Sequence, residues 1–358
     1  MQLFECDACG QAIFFDNVRC ERCGSELGFI AEALRLTALA PRADGGWRIS
    51  ASPSPYRRCA NAVHRSCNWL VPADAASPYC LACRFNRTVP DLADPANLPL
   101  WQKIEFAKHR LIYQLIRFGL PLQPKTEGRA DGLAFDFLSD PDPSFRDSQA
   151  VMTGHADGLI TLNIREADDV ERETARQSMA EPYRTLIGHF RHEIGHYYWQ
   201  WLIQPTARLA ACRELFGDDR RDYGDALARH YAEGPPADWR ERHVSAYATS
   251  HPWEDFAETW AHYMHIVDTL DTAAAFGMSL SPKVDRARYL SAAIAFDPYL
   301  ADDFDTLISA WLPTAVAVNA LNDSMGQPSL YPFVLTAPVI DKLRFIHRTI
   351  RPLAPTSA

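Results

Sequence analysis

The spacing of apolar residues predicts helices over most of the chain beyond residue 100. In most of these segments apolar side chains recur at the three-to-four residue interval that lines one face of a helix. The segments predicted to be helical are 101–120, 167–179, 182–204, 252–270 and 339–350. Two shorter apolar runs, 135–138 and 159–164, have the length and composition of strands.

The first ninety residues follow a different pattern. Short apolar runs, such as 12–15 and 27–30, stand between turn-forming residues and suit the strands of a small ribbon. A tract rich in Pro, Asp and Ala at 91–99 predicts a linker. We therefore expect an α+β protein, in which a small β section at 1–90 precedes a mostly helical domain with a small sheet at 100–358.

Composition and charge narrow the functional classes. The chain has 358 residues, of which 47% are hydrophobic, and this is typical of folded globular proteins. Its net charge of −9 argues against a general nucleic-acid binder. No apolar run approaches the ~18 residues of a membrane span, and the opening MQLFECDACG lacks the features of a signal peptide. We therefore expect a cytoplasmic protein that does not interact with membranes.

Eight of the nine cysteines lie between Cys6 and Cys83. In a reducing compartment such clustering indicates metal binding rather than a disulfide framework. Two C-x-x-C pairs come first, each followed directly by a glycine, and their spacing lets four thiolates converge on one ion. The predicted ligands are Cys6, Cys9, Cys20 and Cys23. This is the closed geometry of a structural zinc site, with iron as the alternative metal.

A second cysteine set is less regular. Its predicted ligands are Cys59, Cys67, Cys80 and Cys83. Only the last two form a C-x-x-C pair, and a single pair cannot complete a closed site. We therefore predict a second structural zinc, in which His64 is an alternative ligand to Cys59 or Cys67.

The candidate catalytic chemistry lies in the predicted helix 182–204, which contains the sequence HEIGH. Residues four apart share a helical face, so His192 and His196 can bind one metal ion. Glu193 lies beside them, where it can take a proton from a water that the metal activates. The helix is apolar nearly all round, and two histidines and a glutamate are costly to bury unless they are paired or bind metal.

A catalytic zinc needs a third protein ligand and an open position for water. The best candidate is Glu254, near the start of the predicted helix 252–270. Glu258, one turn later, can then accept the N–H of a ligand histidine. Acidic residues in a first turn also favour the helix dipole, and this is the role we expect for Asp255. Three nearby histidines are weaker ligand candidates: His251, His262 and His265.

Four segments resemble the zinc-binding metallopeptidase family that carries an amino-terminal zinc ribbon. They are HFRHEIGHYYW, SAYATSHPWEDFAE, CNWLVP at Cys67 and RFNRTVPDL at Arg84. The resemblance covers nearly the whole chain. More distantly, the peptidase part resembles gluzincins of the lethal-factor type, which place a tyrosine seven residues before the ligand glutamate. That resemblance implies that Tyr247 stabilises the oxyanion, and a phenol near the metal could do so by donating a hydrogen bond.

These observations predict a zinc-dependent metallopeptidase with one catalytic and two structural zinc ions, acting on a peptide or protein substrate. Two alternatives stay open. The protein could be a non-catalytic module whose zinc ribbon binds a protein or a nucleic acid. Residues 1–90 contain ten arginines but also eight acidic residues, and these weaken the attraction to phosphates. The arginines that could meet phosphates are Arg57, Arg58, Arg65, Arg84 and Arg87. The protein could also be a metal-dependent hydrolase of some other bond.

Overall fold

The computed structural model describes residues 2–41, 47–49, 52–140, 153–178, 184–284 and 286–353. The backbone packs into two compact units. The first comprises Met1–Tyr113 and Leu122–Arg172, and the second comprises Gln114–Pro121 and Glu173–Ala358. One boundary between the two units therefore falls inside a helix, between Tyr113 and Gln114.

The described part of the first unit contains three sheets. A hairpin is formed by β1 (Phe4–Glu5) and β2 (Ala12–Ile13). An antiparallel sheet, with its strands in chain order, is formed by β3 (Glu26–Ile30), β4 (Arg35–Pro41), β5 (Trp47–Ile49), β6 (Ser52–Arg58) and β7 (Leu70–Pro72). The third sheet is formed by β8 (Asn86–Thr88), β9 (Ala134–Leu138), β10 (Gly154–Ala156) and β11 (Leu159–Asn163). In that sheet β9 lies between β8 and β11 and is parallel to both, while β10 pairs with β11 antiparallel.

Aromatic packing holds the first helix, α1 (Asn97–Arg117), to the strands of the first unit. The ring of Phe15 lies 4.9 Å from that of Phe29 and 5.2 Å from that of Tyr113 on α1. The ring of Trp69 packs against that of Phe29 at 4.8 Å, with the two planes tilted by 44°. All four side chains are buried, and each such ring pair adds about 0.5–1.5 kcal/mol beyond its buried area. This cluster is therefore a main source of cohesion in a unit with short strands.

The second unit is mostly helical. A second helix, α2 (Asp169–Ser178), crosses the boundary between the units. The helices that follow are α3 (Leu186–Leu202), α4 (Arg208–Phe216), α5 (Tyr223–Glu233), α6 (Pro252–Ala275), α7 (Phe304–Ser324) and α8 (Ala337–Ile350). A hairpin of β12 (Ser279–Leu280) and β13 (Ala292–Ala293) precedes α7. Helix α6 is the central element, because α3, α4, α7 and α8 all pack against it.

The predicted α+β class is confirmed, with differences at the ends of elements. Helix α1 begins at Asn97, so the last residues of the predicted linker at 91–99 are helical. Helix α6 continues past the predicted end at residue 270 as far as Ala275, because its next residues, such as Ala273, are also buried. Helix α3 begins at Leu186 after its N-cap Thr185 and ends at Leu202, so it is shorter at both ends than the predicted span 182–204. Pro182 itself lies outside the described residues.

The sequence pattern did not indicate most of the five-stranded sheet. Strand β4 has the sequence RLTALAP, and its Leu and Ala content is typical of a helix rather than a strand. Its pairing with β3 places Leu36 opposite Phe29 and Ala38 opposite Leu27. Leu36 and its β3 neighbours Phe29 and Leu27 are buried, so the tertiary contacts outweigh the local preference.

Helix α7 is long and apolar enough, by length and composition alone, to cross a membrane. The hydropathy of the sequence predicts no such segment. A helix in the core of a protein passes the same test, and Phe304, Leu307 and Trp311 of α7 are buried inside the second unit. The helix is therefore weak support for a membrane span.

A buried ion pair ties α6 to α8. Lys342 Nζ lies 2.6 Å from Asp255 Oδ2 and also donates to the Arg242 carbonyl at 2.7 Å. Burial raises the pKa of Asp255 to about 7, and the charge of Lys342 opposes this shift. The interpretation of Asp255 as a simple helix-dipole charge is therefore wrong, because its main partner is a lysine 87 positions away.

We expect Lys342→Met to destabilise the second unit by about 3–5 kcal/mol, because it leaves Asp255 buried without its cation. Denaturant unfolding followed by circular dichroism measures this change. The control is Lys103→Met, since Lys103 pairs with Asp169 at 2.9 Å on the surface and should contribute less than about 1 kcal/mol. Equal, small effects of the two substitutions would contradict the assignment.

Candidate metal centres

Helix α3 carries the HEIGH residues. Thr185 caps its start by accepting a hydrogen bond from the Gly188 N–H at 3.0 Å. Glu193 and His196 are buried, and His192 is partly exposed. Because the two histidines are one turn apart, their Nε2 atoms meet at 3.1 Å.

Gly195, inside this motif, allows α6 to pass close to α3. A Cβ atom at this position would lie 3.0 Å from the Ala257 Cα and 3.1 Å from the Trp260 Cβ. Any larger residue would therefore push the two helices apart. The close approach brings the first two turns of α6, with Glu254 and Glu258, next to the two histidines.

The three predicted ligands converge on one point. Glu254 Oε2 lies 2.9 Å from His192 Nε2 and 3.4 Å from His196 Nε2. In a tetrahedral zinc site with bonds of about 2.0–2.1 Å, the ligand atoms lie about 3.3 Å apart. The three donor atoms therefore have the spacing that a tetrahedral zinc ion requires.

The hydrogen bonds of His192 also favour a cation here. Its Nδ1 lies 2.8 Å from Glu258 Oε1. In the neutral ring whose Nδ1–H donates to this carboxylate, Nε2 keeps a lone pair. That lone pair would face Glu254 Oε2 at 2.9 Å, and a cation held between them would stabilise this arrangement. Burial lowers the pKa of His192, but the two glutamates outweigh it and hold the pKa well above its ordinary value. Two arrangements are therefore possible, and both place a positive charge next to Glu254. Either a cation binds to the neutral ring, or the ring of His192 is itself protonated.

Glu258 connects the ligand His192 to a neighbouring turn. Its second oxygen accepts the Ser245 hydroxyl at 2.5 Å, and Ser245 Oγ accepts the Ala248 N–H at 3.1 Å. Burial would raise the pKa of Glu258, but the hydrogen bond and charge of His192 dominate and lower it to about 2. Glu258 therefore remains a carboxylate that orients both His192 and the turn that includes Tyr247.

Glu193 is a carboxylate placed for acid–base chemistry. Within the described residues, its buried Oε2 atom has no hydrogen-bond partner. Leaving such an atom unsatisfied costs free energy, and a water beside the three ligands would satisfy it. Burial raises the pKa of Glu193, which makes the carboxylate a better proton acceptor.

Tyr247 lies beside the ligand cluster. Its ring centre is 5.9 Å from that of His192. Burial and the nearby charge of Glu254 raise the pKa of the Tyr247 phenol, so it keeps its proton at neutral pH and can donate a hydrogen bond. The structure thus brings Tyr247 near His192 and Glu254, two of the three predicted ligands.

Tyr223 is a further residue at this site, which the sequence analysis missed. Its hydroxyl donates to Glu254 Oε1 at 2.8 Å. Tyr223 precedes Glu254 by 31 positions and belongs to no recognisable motif. Only the contact between the starts of α5 and α6 reveals it.

The three histidines considered as weaker ligands have other partners. His251 caps the start of α6 with its Nδ1 atom, which accepts a backbone N–H at 3.1 Å. His262 bonds to the Tyr331 hydroxyl at 2.7 Å, and His265 bonds to Arg191. None of the three joins a ligand cluster within the described residues.

The first four predicted cysteines also converge. Cys6 Sγ lies 3.7 Å from Cys23 Sγ, and Cys9 Sγ lies 3.7 Å from Cys20 Sγ. A disulfide bond measures about 2.05 Å, whereas zinc bonds of about 2.3 Å place tetrahedral sulfurs about 3.8 Å apart. The glycine after each C-x-x-C pair has a left-handed backbone, with φ of 72° and 74°, as the tight turns require. The geometry therefore fits a four-thiolate zinc site.

The second cysteine set forms a similar cluster and is fully buried. Its members are Cys59, Cys67, Cys80 and Cys83. Cys67 Sγ and Cys80 Sγ are 3.7 Å apart, again the spacing of a tetrahedral site. The ring of His64 packs instead against Trp101 at 5.7 Å, so the four cysteines form the cluster without it.

A histidine that the sequence analysis did not consider lies beside this second cluster. His109 on α1 is 2% exposed, and its Nε2 atom lies 3.7 Å from Cys83 Sγ. Its Nδ1–H donates to the Glu105 carbonyl at 2.5 Å. Lys108 Nζ neutralises the Glu105 side chain at 2.8 Å. We therefore interpret these α1 residues as the polar surroundings of a four-thiolate ion, not as ligands of another one.

Several of the arginines considered for nucleic-acid binding have partners within the first unit. Arg57 donates to two backbone carbonyls, at 2.5 and 2.8 Å. Arg58 pairs with Glu26, and Arg87 pairs with Asp136. These contacts give the arginines structural roles and lend no support to a nucleic-acid partner.

Comparisons with known proteins match two parts of the chain to described families. A family described as "putative zinc-binding metallo-peptidase" matches residues 97–349, and a zinc-ribbon domain matches residues 3–94. An uncharacterized protein of Mycobacterium bovis is 43% identical over 358 residues, covering 99% of this chain and 97% of that protein. An uncharacterized protein of Mycobacterium tuberculosis is similar to the same extent. No solved structure matches the chain.

We expect Gly195→Ala to weaken zinc binding at the histidine site, because the added methyl group separates α3 from α6 and moves Glu254 away from the imidazoles. The cost in stability should be about 1–3 kcal/mol. Competition with a zinc chelator measures the affinity. Gly154→Ala is the control, since among the described residues nothing lies within 4 Å of a Cβ atom there. Equal zinc affinity in both variants would contradict the role of Gly195.

Proposed function

Because the chain belongs to the zinc-binding metallopeptidase family and carries an amino-terminal zinc ribbon, we propose that it hydrolyses peptide bonds with a catalytic zinc held by His192, His196 and Glu254. This HExxH motif with a distant glutamate is the gluzincin arrangement. The main support is the convergence of the three donor atoms at 2.9–3.4 Å, together with a buried oxygen of Glu193 that has no hydrogen-bond partner among the described residues.

In the proposed mechanism one metal ion and two side chains, Glu193 and Tyr247, have separate roles. When bound, zinc lowers the pKa of a water and polarises the scissile carbonyl. Glu193 accepts the proton of the attacking water and later passes it to the leaving amine. Tyr247 donates a hydrogen bond to the oxygen that becomes negative in the tetrahedral transition state.

Glu258 and Ser245 give this site its rigidity. Glu258 fixes the tautomer of His192 by accepting its Nδ1–H, so that Nε2 faces the metal position. Ser245 links the same carboxylate to the turn of Tyr247. The metal ligand and the proposed oxyanion donor are therefore oriented through one shared group.

We propose that the two cysteine clusters hold one structural zinc each. Closed sites of four thiolates fit a structural role, because they leave no position for a water or a substrate. Their cysteines must stay reduced, which favours a cytoplasmic location. A metal analysis distinguishes zinc from iron, the alternative metal for these cysteine sites.

Metal analysis by mass spectrometry should find three zinc ions per chain. His196→Ala should lower the count by one, and Cys80→Ser should lower it by one at a different site, because each residue supplies a ligand to a separate cluster. A wild-type count of two that His196→Ala leaves unchanged would refute the catalytic zinc. Iron in the cysteine sites would correct only the metal assigned to them.

Glu193→Gln should keep three zinc ions and the fold but lose about 10²–10⁴-fold in peptide hydrolysis, because an amide cannot accept the proton of the attacking water. Cleavage of a mixed peptide library, followed by mass spectrometry, measures this loss. Gln177→Glu, an exposed change on α2, is a control that alters charge away from the site. Full activity of Glu193→Gln would refute the role of this base, and hydrolysis of esters alone would assign the enzyme to another bond.

A further inference from the structure

We infer that Tyr223 is a positioning residue that makes Glu254 present a single oxygen to the metal. The inference rests on the proposed function, because it takes Glu254 as a zinc ligand. It assigns a role to a side chain that the proposed mechanism leaves unused.

The two oxygens of Glu254 have different partners. Oε2 faces His192 Nε2 at 2.9 Å and His196 Nε2 at 3.4 Å, on the side of the metal position. Oε1 accepts the Tyr223 hydroxyl at 2.8 Å. The carboxylate is only 1% exposed, so bulk water does not compete with the phenol for Oε1.

This division matters because a carboxylate can bind zinc through one oxygen or through both. Binding through both oxygens would fill a second coordination position and reduce the space that an attacking water needs. A hydrogen bond from a neutral phenol to a carboxylate is charge-assisted and strengthened by burial. The Tyr223 hydroxyl therefore opposes a rotation that would turn Oε1 toward the metal.

The position of Tyr223 is fixed from two sides. Asp222 caps α5 by accepting the Asp225 N–H at 2.8 Å, which sets the direction of the first turn. The Tyr223 ring packs edge-on against His251 at 5.4 Å and Trp253 at 5.8 Å, the residues that flank the start of α6. The start of α5 is thus packed directly against the turn that carries Glu254.

The hydroxyl, rather than the ring, is the group that this role requires. Tyr223 is 39% exposed, so the ring is an edge of the site and not a core residue. Tyr223→Phe removes the hydroxyl and keeps the ring contacts with His251 and Trp253. Tyr231→Phe is a matched control, because Tyr231 lies on the same helix and is 69% exposed.

The test replaces the zinc of the histidine site by Co²⁺ in the full-length protein. A chelator removes zinc from an open three-ligand site before it removes zinc from closed thiolate sites, and Co²⁺ then refills the open site. Subtracting the spectrum of His196→Ala, prepared in the same way, isolates the visible absorption of the histidine site. Four-coordinate Co²⁺ absorbs several-fold more strongly than five-coordinate Co²⁺.

We expect Tyr223→Phe to bind Co²⁺ at this site with a several-fold weaker visible absorption, and Tyr231→Phe to match the wild type. The kcat of Tyr223→Phe should fall about 10–100-fold with little change in KM, the size seen when partners of metal ligands are removed. An unchanged spectrum, loss of Co²⁺ binding, or the same change in Tyr231→Phe would overturn the inference.

The two proposals can fail separately. If the wild type cleaves no peptide but the spectra differ as expected, the assignment of Tyr223 stands and the proposed peptidase function fails. If peptides are cleaved and the spectra of wild type and Tyr223→Phe are identical, only the assignment of Tyr223 fails.

Discussion

The candidate active site depends on how closely α6 approaches α3. The three proposed ligands come from two helices that are far apart in the chain, and they meet only if the helix backbones are almost in contact. Gly195 permits this contact, since a Cβ atom there would lie 3.0 Å from the Ala257 Cα. The glycine of the HEIGH motif is therefore required for the packing of α3 against α6.

Buried charges then hold the two helices in place. Arg191, directly before His192, donates from Nη2 to Asp268 of α6 at 2.7 Å and from Nε to Gln114 at 2.9 Å. Asp255, directly after Glu254, is held by Lys342 of α8. The proposed ligand His192 thus follows a paired arginine, and the proposed ligand Glu254 precedes a paired aspartate. Such pairs add little net stability, but removing one partner is costly, so they favour one arrangement over others.

The sequence predicted residue types and spacings better than it predicted long-range partners. The HEIGH motif and the C-x-x-C pairs follow from local spacing alone, because one helical turn or one tight turn determines which side chains converge. Glu254 and Glu258 needed the added argument that a histidine pair is incomplete. Tyr223 and His109 carry no local signal, because only tertiary packing brings them to Glu254 and Cys83. Strand β4 was missed for the same reason, since its partner β3 decides its conformation.

The separation of ligands along the chain bears on the order in which the sites form during synthesis on the ribosome. Cys6 and Cys23 are 17 positions apart, so the first thiolate site is complete after a short nascent segment has emerged. His192 and Glu254 are 62 positions apart, and most of the chain must be translated before they can meet. The proposed ribbon metal site can therefore be completed long before the proposed hydrolytic site, which forms only after a much longer segment has been translated.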